Sequence, residues 1–186
     1  MGLAVFAVIA IVVGGAVVIY NGLARLRLMA DGAWADIDVQ LKRRHDLIPN
    51  LVAAVQGHAG YEKGTLESVV EARNRAIGAA GPRASGDAEG LLAGAVREIF
   101  ALAEAYPDLK AAESFLSLQK NLSEIEDQVQ QARRYYNAVV RDLNTRVAQF
   151  PSNLLAAAFR FGPREFFGLT DSAERTAPAI DLGKRS

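Results

Sequence analysis

The stretch FLSLQKNLSEIEDQVQQARRYYNAVVRDLNTRVAQF, residues 115–150, carries the strongest periodic signal beyond the N-terminus of this 186-residue chain. Its apolar side chains recur in steps of three and four residues, a heptad pattern sustained for about five repeats. The pattern predicts one long helix that packs lengthwise against another. The apolar seam consists of Phe115, Leu118, Leu122, Ile125, Val129, Ala132, Tyr136, Val139, Leu143, Val147 and Phe150.

Two helical segments come first in the soluble part. Apolar residues at helical spacing predict a helix over residues 21–56. Pro49 should kink it, because proline removes a backbone hydrogen bond and clashes with the preceding turn. A cluster of glycines in residues 57–64 predicts a turn, and a second helix follows over residues 61–79.

A third helical segment lies between that helix and the heptad seam. The Gly-, Pro- and Ser-rich stretch of residues 78–90 predicts a loop, with Asp87 as the N-cap of a helix that ends near Ala105. Pro107 suits the first turn of the fourth and longest helix, and Pro151 stops it.

These segments predict an all-α fold, in which an N-terminal transmembrane helix precedes an up-and-down four-helix bundle with long first and last helices. The fourth helix would span about 63 Å and the second and third about 30 Å each. The two short helices therefore form a distal hairpin, and the fourth helix returns the whole way. The domains are an anchor (1–20), the bundle (21–150), a short helix and aromatic segment near the membrane (151–169) and a flexible tail (170–186).

The unbroken apolar run LAVFAVIAIVVGGAVVI, residues 3–19, predicts a membrane anchor, because a helix needs about 17–25 such residues to cross a bilayer. A cleavable signal peptide is one alternative, but no basic residue precedes the run and no convincing A-x-A site follows it. A buried core helix is the other, but so short a chain cannot easily enclose a helix that is apolar on every face. The predicted anchor side chains are Leu3, Val5, Phe6, Val8, Ile9, Ile11, Val12, Val13, Val17, Val18 and Ile19.

Charge asymmetry around the run predicts its orientation. No Lys or Arg precedes it, whereas Arg25 and Arg27 follow within a few residues. Basic residues favour the cytoplasmic side of a membrane. We therefore predict a single-pass protein of the cell membrane, with its N-terminus outside and its bundle in the cytoplasm.

The segment FPSNLLAAAFRFGPREFFGL, residues 150–169, combines aromatic and basic side chains, which suits a lipid interface. Ser152 is expected to cap a short helix over residues 153–159. Because the fourth helix should return to the membrane, we predict that five side chains of this segment contact lipid. They are Phe159, Phe161, Arg164, Phe166 and Phe167. The alternative is that these rings simply cap the open end of the bundle.

Composition excludes several classes of function. The chain has no Cys, which excludes disulfides, thiolate catalysis and zinc–sulfur sites. Lys and Arg balance Asp and Glu at 21 each, which argues against a nucleic-acid partner, since that needs a basic face. No phosphate loop or nucleophile elbow occurs. His58 and Glu62 stand four apart, but a surface pair is favoured because a metal centre in a helix bundle needs more ligands. We predict no catalytic residue, no metal and no cofactor.

Residues 42–44 form a basic triplet in the middle of the first helix, for which an exposed face with salt bridges is the simplest interpretation. The apolar stripe, however, carries Arg44 or His45 toward the seam, level with Glu126 and Asp127 of the returning helix. We predict an internal ion pair there, which fixes the register of the two helices more than it adds stability.

The same helix carries a candidate partner face around Arg43, Pro49 and Asn50. Pro49 has no N–H, so it frees a backbone carbonyl one turn earlier. A partner, or a neighbouring side chain, can use that carbonyl.

Four motifs together resemble the LemA family. They are DVQLKRRHDLIPNLV (38–52), YPDLKAAESFLSLQ (106–119), ARRYYNAVVRDLNTRV (132–147) and FPSNLLAAAFRFGPREFF (150–167). His45 stands where the family more often has an aromatic residue such as tyrosine. LemA proteins are bacterial single-pass membrane proteins with a helical-bundle domain, and the family includes a magnetosome membrane protein. The resemblance implies membrane-associated scaffolding and brings no agreed activity with it.

These features favour a non-enzymatic, membrane-anchored scaffold that self-associates and organises or shapes the membrane or recruits partners. Membrane lipid, further copies of the chain and other membrane proteins are the expected partners. The alternative is an adaptor or sensor that relays the state of the envelope to one membrane partner. A third hypothesis is an enzyme with a carboxylate site inside the bundle, which would hold a metal.

Overall fold

The computed structural model describes residues 1–57 and 63–168, and these residues form six helices and no strand. The chain is therefore all-α with a long N-terminal apolar helix, as predicted. The helices are α1 (Gly2–Gln56), α2 (Lys63–Gly78), α3 (Pro82–Ala103), α4 (Pro107–Ala111), α5 (Glu113–Ala148) and α6 (Ser152–Ala158). The predicted surface pair of His58 and Glu62 and the predicted tail, residues 170–186, lie outside the described residues.

The antiparallel pair of α1 and α5 is the central element of the domain. Near the anchor, Leu23 shares a buried cluster with Leu143. Further out, the rings of Trp34 and Tyr136 lie 5.7 Å apart between centroids, so α5 runs back along α1. The heptad seam explains this pairing, because every seventh residue of α5 is buried: Phe115, Leu122, Val129, Tyr136 and Leu143.

The α2–α3 hairpin packs against the distal half of α1. Side chains from α1 to α5 meet there in one apolar core, which includes the fully buried Leu51, Val69, Leu92 and Ile99. The proximal core lies closer to the anchor and is made by α1, α5, α6 and residues 161–168. We call residues 161–168 the return segment, because they run from the anchor end of the domain back along α5.

The start of α3 differs from prediction, since α3 begins at Pro82 within the expected loop of residues 78–90. Pro82 occupies the first helical turn, where its missing N–H leaves no bond unmade, and Gly81 precedes it with a φ of 86°. Glu89 faces the interior and Gly86 touches the return segment. The small and polar residues that indicated a loop therefore serve close packing within a helix.

Other helix ends also differ. Asp87 lies inside α3 instead of capping it. The predicted fourth helix is interrupted at Ala112, whose extended backbone separates α4 from α5. Ser152 does not cap α6, because its Oγ lies 2.6 Å from the carbonyl oxygen of Arg146 in the preceding helix. The end of α1 agrees with prediction, because the helix continues through Pro49 to Gln56.

Candidate functional site

The first third of α1 is an apolar rod that protrudes from the domain. Its most apolar 18-residue window is long and apolar enough to cross a membrane, and none of that window is buried. All the predicted anchor side chains except Ile19 are exposed, and Ile19, at the edge of the domain, is partly buried. This exposure contradicts a buried core helix and is compatible with membrane anchoring.

Arg44 lies at the centre of a buried charge cluster that joins three helices. The residue is 5 % exposed, and its Nη2 lies 3.1 Å from Oε2 of Glu126 on α5. Its Nη1 lies 3.3 Å from Oε2 of Glu89 on α3, a residue that is 4 % exposed. The planar guanidinium presents donors in two directions, so one arginine bridges two carboxylates.

His45 extends this cluster on two sides. Its Nε2 lies 2.5 Å from Oε1 of Glu89, so both oxygens of that carboxylate have a partner. The main-chain oxygen of His45 accepts a hydrogen bond of 2.8 Å from Nε of Arg73 on α2. One turn of α1 thus fastens α2, α3 and α5. This turn also separates the two apolar cores. Along α1, the proximal core ends at Leu41 and the distal core begins at Ile48.

The structure brings together Arg44 and Glu126 of the predicted ion pair, but not Asp127. Asp127 is exposed and forms no ion pair within residues 1–57 and 63–168. The reason is rotational, because consecutive helical residues point about 100° apart. Glu89 escapes prediction because residues 78–90 are expected to form a loop. Its spacing of three residues from Leu92, on the buried face of α3, is the signal that could have revealed it.

An open groove lies beside the cluster, between α3 and α5, with a volume of ≈ 600 Å³. Arg44 and Glu126 contribute to its lining, together with the apolar side chains of Val96, Phe100 and the exposed Leu116. The remaining charged lining residues carry both signs: Arg97, Lys120 and Glu124. Such a groove can accept apolar side chains from another protein while charged pairs form at its edges.

The residues of the predicted partner face, Arg43, Pro49 and Asn50, are all exposed on α1. The carbonyl that Pro49 frees belongs to His45, and Arg73 uses it. The hydrogen bond to this carbonyl therefore comes from a neighbouring side chain of the same protein.

The return segment buries two of the four aromatic rings that were expected to contact lipid. Phe161 is 9 % exposed and Phe167 is 3 % exposed, and Phe166 packs against the proximal core. Phe161 and Phe167 are therefore not free to enter the bilayer as predicted, whereas Phe166 keeps part of its surface exposed. Of the remaining predicted residues, Arg164 lies 2.5 Å from Asp31, whereas Phe159 stays exposed.

Side chains of α5 explain why the segment leaves the membrane end. The amide of Asn144 accepts from the backbone N–H of Arg164 at 2.8 Å and donates to its C=O at 2.9 Å. The Asn137 amide does the same for Phe167 at 2.9 and 3.2 Å. The Tyr136 hydroxyl donates to the carbonyl of Glu165, and burial raises the pKa of that phenol above its usual 10.0.

The short helix α6 lies beside the membrane end of α1. The ring of Phe159, just after α6, is 4.9 Å from that of Tyr20 between centroids. Phe150 and Leu154 are exposed nearby, on the same turn-and-helix unit. These apolar side chains sit where the predicted anchor enters the domain.

The LemA family model matches residues 33–182 of the 186 in this chain. This chain belongs to the LemA family. The matched range contains all four motifs that resemble the family.

Individual relatives support the same assignment. Magnetosome proteins MamQ 1 and MamQ 2 of Paramagnetospirillum magneticum are each 24 % identical, over 80 % of this chain and 64 % of their own length. Protein LemA of Metamycoplasma hominis is 25 % identical, over 73 % of this chain and 63 % of its own length. The chain thus spans a little under two thirds of these relatives. LemA membership, these similarities and the exposed apolar rod are together compatible with a membrane-anchored protein.

The polar groups of the charge cluster are paired with one another. Among the described residues, no three His, Asp or Glu side chains are placed to hold a metal ion together. Within the cluster, the guanidinium of Arg44, both oxygens of Glu89 and Nε2 of His45 all have partners. Through these contacts the cluster joins α1 to α3 and α5.

Proposed function

We propose that this chain is a non-enzymatic, membrane-anchored scaffold that assembles with copies of itself and recruits or organises other components at the bilayer. The observation that carries the proposal is the continuity of α1. One helix of 55 residues runs from the exposed apolar rod into the centre of the domain without an intervening loop. An anchor joined in this way fixes the direction of the whole domain.

Rigid anchoring favours self-association for a physical reason. Copies held in one plane and in one orientation meet at a higher effective concentration than copies free in solution. The formal net charge of the chain is +0, so long-range repulsion between copies is weak. Even a modest contact surface can then hold an assembly together.

The groove between α3 and α5 is our candidate for that contact, and a second copy of the chain is its proposed occupant. The exposed Leu116 of α5 and the lining side chains of Val96 and Phe100 on α3 give the groove an apolar surface. The groove carries both signs of charge, with Arg97 and Lys120 near Glu124, so two identical faces can form complementary pairs. The exposed Arg43, Pro49 and Asn50 on α1 are proposed as a separate face for other proteins.

The names of the MamQ relatives support the organising part of the proposal. They are called magnetosome proteins, so related chains belong to a defined cellular structure. A scaffold that positions components on a membrane is consistent with such a setting.

The proposal is tested by particle mass and shape. The full chain is extracted in mild detergent and measured by mass photometry, with electron microscopy of the same sample. We expect large, regular particles of this chain alone, and much smaller ones for Leu116→Glu. Gln128→Glu is the matched control, because it adds the same charge at an exposed position of α5 outside the groove. Small particles from the parent would overturn self-assembly, and a second protein that co-purifies would favour an adaptor instead.

Orientation in the membrane is a separate part of the proposal. The N-terminus is proposed to lie outside and the domain in the cytoplasm, following Arg25 and Arg27. The chain has no Cys, so a single Ser117→Cys substitution at an exposed site of α5 gives one reactive position. A membrane-impermeant maleimide should label it only after the cells are permeabilised. Labelling of intact cells would reverse the proposed topology.

A further inference from the structure

A pocket of ≈ 240 Å³ lies at the membrane end of the domain, between α1, α5 and the residues that follow α6. Three of its lining residues are arginines, Arg27, Arg160 and Arg164, and none is acidic. The other lining residues are Leu143, Phe161, Gly162 and Pro163. Guanidinium groups around a pocket with apolar walls are an arrangement that recognises phosphate or another anion.

The positive charge of this pocket is only partly compensated. Arg164 pairs with Asp31, which lies outside the pocket lining. Arg27 and Arg160 are exposed and form no ion pair within residues 1–57 and 63–168. Two guanidinium groups therefore remain available to an anion.

The backbone at Arg160 points to the same conclusion. The N–H of Phe161 donates to the carbonyl of Ala156 at 2.9 Å, and the N–H of Arg160 donates to that of Ala157 at 3.4 Å. These two bonds form a Schellman motif, whose left-handed position usually holds glycine. Arg160 occupies that position with a φ of 58°. A strained arginine where glycine would fit better indicates a use for the side chain.

The pocket also lies at the right height above the predicted membrane. Arg27 is eight residues beyond Ile19, about 12 Å along the helix axis, and an arginine side chain can extend back toward the headgroup layer. Below it, an apolar groove of ≈ 300 Å³ opens between the anchor and α6. Its lining residues are Val13, Ala16, Val17, Tyr20, Leu155 and Phe159.

We infer that these two features form one binding site for an anionic phospholipid, with its phosphate at Arg27 and Arg160 and an acyl chain in the apolar groove. Arg164 has its charge directed to Asp31, and its backbone is held by Asn144, so it shapes the pocket. The inference rests on the proposed membrane association and adds the class of lipid that the domain selects.

The test is lipid retention by the full chain in mild detergent, measured by native mass spectrometry. Phosphatidylglycerol and phosphatidylcholine are added in separate samples. We expect phosphatidylglycerol to be retained at about tenfold higher affinity, because phosphatidylcholine carries the same phosphate but its choline cation is repelled by the two arginines. Arg160→Gly should remove most of this preference while leaving the melting temperature unchanged or raised, because glycine suits the left-handed position. Arg27→Gln should reduce the preference as well.

Arg25→Gln is the matched control, because Arg25 is an exposed arginine of the same helix that does not line the pocket. It should leave the preference unchanged, and an equal loss in this variant would show that general charge, not the pocket, attracts the lipid. Equal retention of both lipids by the parent would also overturn the site. A third sample contains phosphatidylglycerol and millimolar inorganic phosphate. Full displacement there would assign the pocket to soluble phosphates instead.

Vesicle flotation separates this inference from the proposed function. If the chain floats with phosphatidylcholine vesicles but shows no preference for phosphatidylglycerol, only the lipid site is rejected. If the chain floats with neither kind of vesicle, the membrane association is rejected, and both proposals are rejected with it.

Discussion

Nε of Arg73 donates a hydrogen bond of 2.8 Å to the main-chain oxygen of His45, four residues before Pro49. In an uninterrupted helix that oxygen would accept from the N–H of residue 49, which proline lacks. α1 nevertheless continues to Gln56. A side chain of α2 therefore satisfies the acceptor, and a local defect in α1 becomes the point where the α2–α3 hairpin attaches.

A double-mutant cycle tests this relationship. Arg73→Ala should lower the free energy of unfolding by about 1–2 kcal/mol, because a partly buried carbonyl loses a charged donor. In a Pro49→Ala background the loss should be smaller by about 0.5–1.5 kcal/mol, because the alanine N–H supplies the missing partner. The measurement is chemical unfolding of the full chain in mild detergent, followed by circular dichroism. Additive losses would mean that the two residues are independent.

Arg75→Ala is the control for that cycle. Arg75 lies on the same helix, and its pair with Glu71 joins two side chains that are mostly exposed. Surface pairs of this kind contribute about 0.3–0.5 kcal/mol, and the loss should not depend on residue 49.

The charge cluster gives a second prediction. Arg44→Met should lower the free energy of unfolding by about 3–5 kcal/mol, because the buried carboxylate of Glu89 loses its arginine. Glu126→Gln should cost no more than about 1 kcal/mol, because the side chain at this position is 37 % exposed and water can solvate it. Chemical unfolding of both variants decides the point. Equal costs would show that burial at Glu89 does not set the strength of the cluster.

A combined variant tests whether the cluster stabilises or only specifies the fold. Arg44→Met with Glu89→Met removes both buried charges, and apolar replacement of a whole buried pair is often neutral or better. We expect the double variant to recover most of the stability lost by Arg44→Met alone. If the double variant is the less stable of the two, the ion pair is itself a net source of stability.

Tyr136 gives a prediction about alkaline pH. Burial raises the pKa of its phenol in the folded state above the unfolded value of 10.0, so the folded protein holds this proton more tightly. The contribution of the neutral phenol is fully present below about pH 10 and is lost as the pH rises through the folded pKa. Tyr136→Phe removes the bond to Glu165 and should cost about 1 kcal/mol at neutral pH.

The pH dependence of the difference between parent and Tyr136→Phe is the measured quantity. The stability difference should be constant from pH 7 to 9 and should shrink above pH 10, because only the parent carries the raised phenol. Taking the difference cancels the titration of groups that both proteins share. A difference that stays level to pH 11 would contradict the assignment.

The helices that could be predicted from the sequence are those whose pattern is local. The seam from Phe115 to Leu143 contains its own period, so its burial in α5 follows from spacing alone. The antiparallel return of α5 follows from helix lengths, and that register placed Arg44 level with Glu126. Each of these inferences needs only a helical repeat and the rise per residue.

The features that could not be predicted depend on contacts between distant parts of the chain. Residues 78–90 have the composition of a loop, but Gly86 is small because Gly168 crosses it and Glu89 is buried because Arg44 faces it. The aromatic rings after α6 resemble an interfacial segment, but the amides of Asn137 and Asn144 bind their backbone. Local propensity is a weak guide where tertiary packing decides.

The crossing of Gly86 and Gly168 yields the last prediction. A Cβ on Gly86 would overlap the backbone N and Cα of Gly168. These are backbone atoms, so no side-chain rotation can relieve the overlap. Gly86→Ala should therefore lower the free energy of unfolding by about 1–3 kcal/mol, despite the better helix propensity of alanine. Gly90→Ala lies one turn further along the same helix with nothing within 4 Å, so it should raise the free energy by about 0.5–1 kcal/mol.

The opposite signs of these two alanine substitutions make the prediction sharp, because helix propensity alone gives both the same sign. Fluorescence locates the damage, since Trp34 is the only tryptophan and its ring lies 5.9 Å from that of Phe167 in the return segment. If Gly86→Ala lifts the segment from α3, water reaches Trp34 and its emission shifts to the red before the helices unfold. An unshifted spectrum with lowered stability would place the damage within α3, and stabilisation by both substitutions would mean that the crossing does not hold the segment.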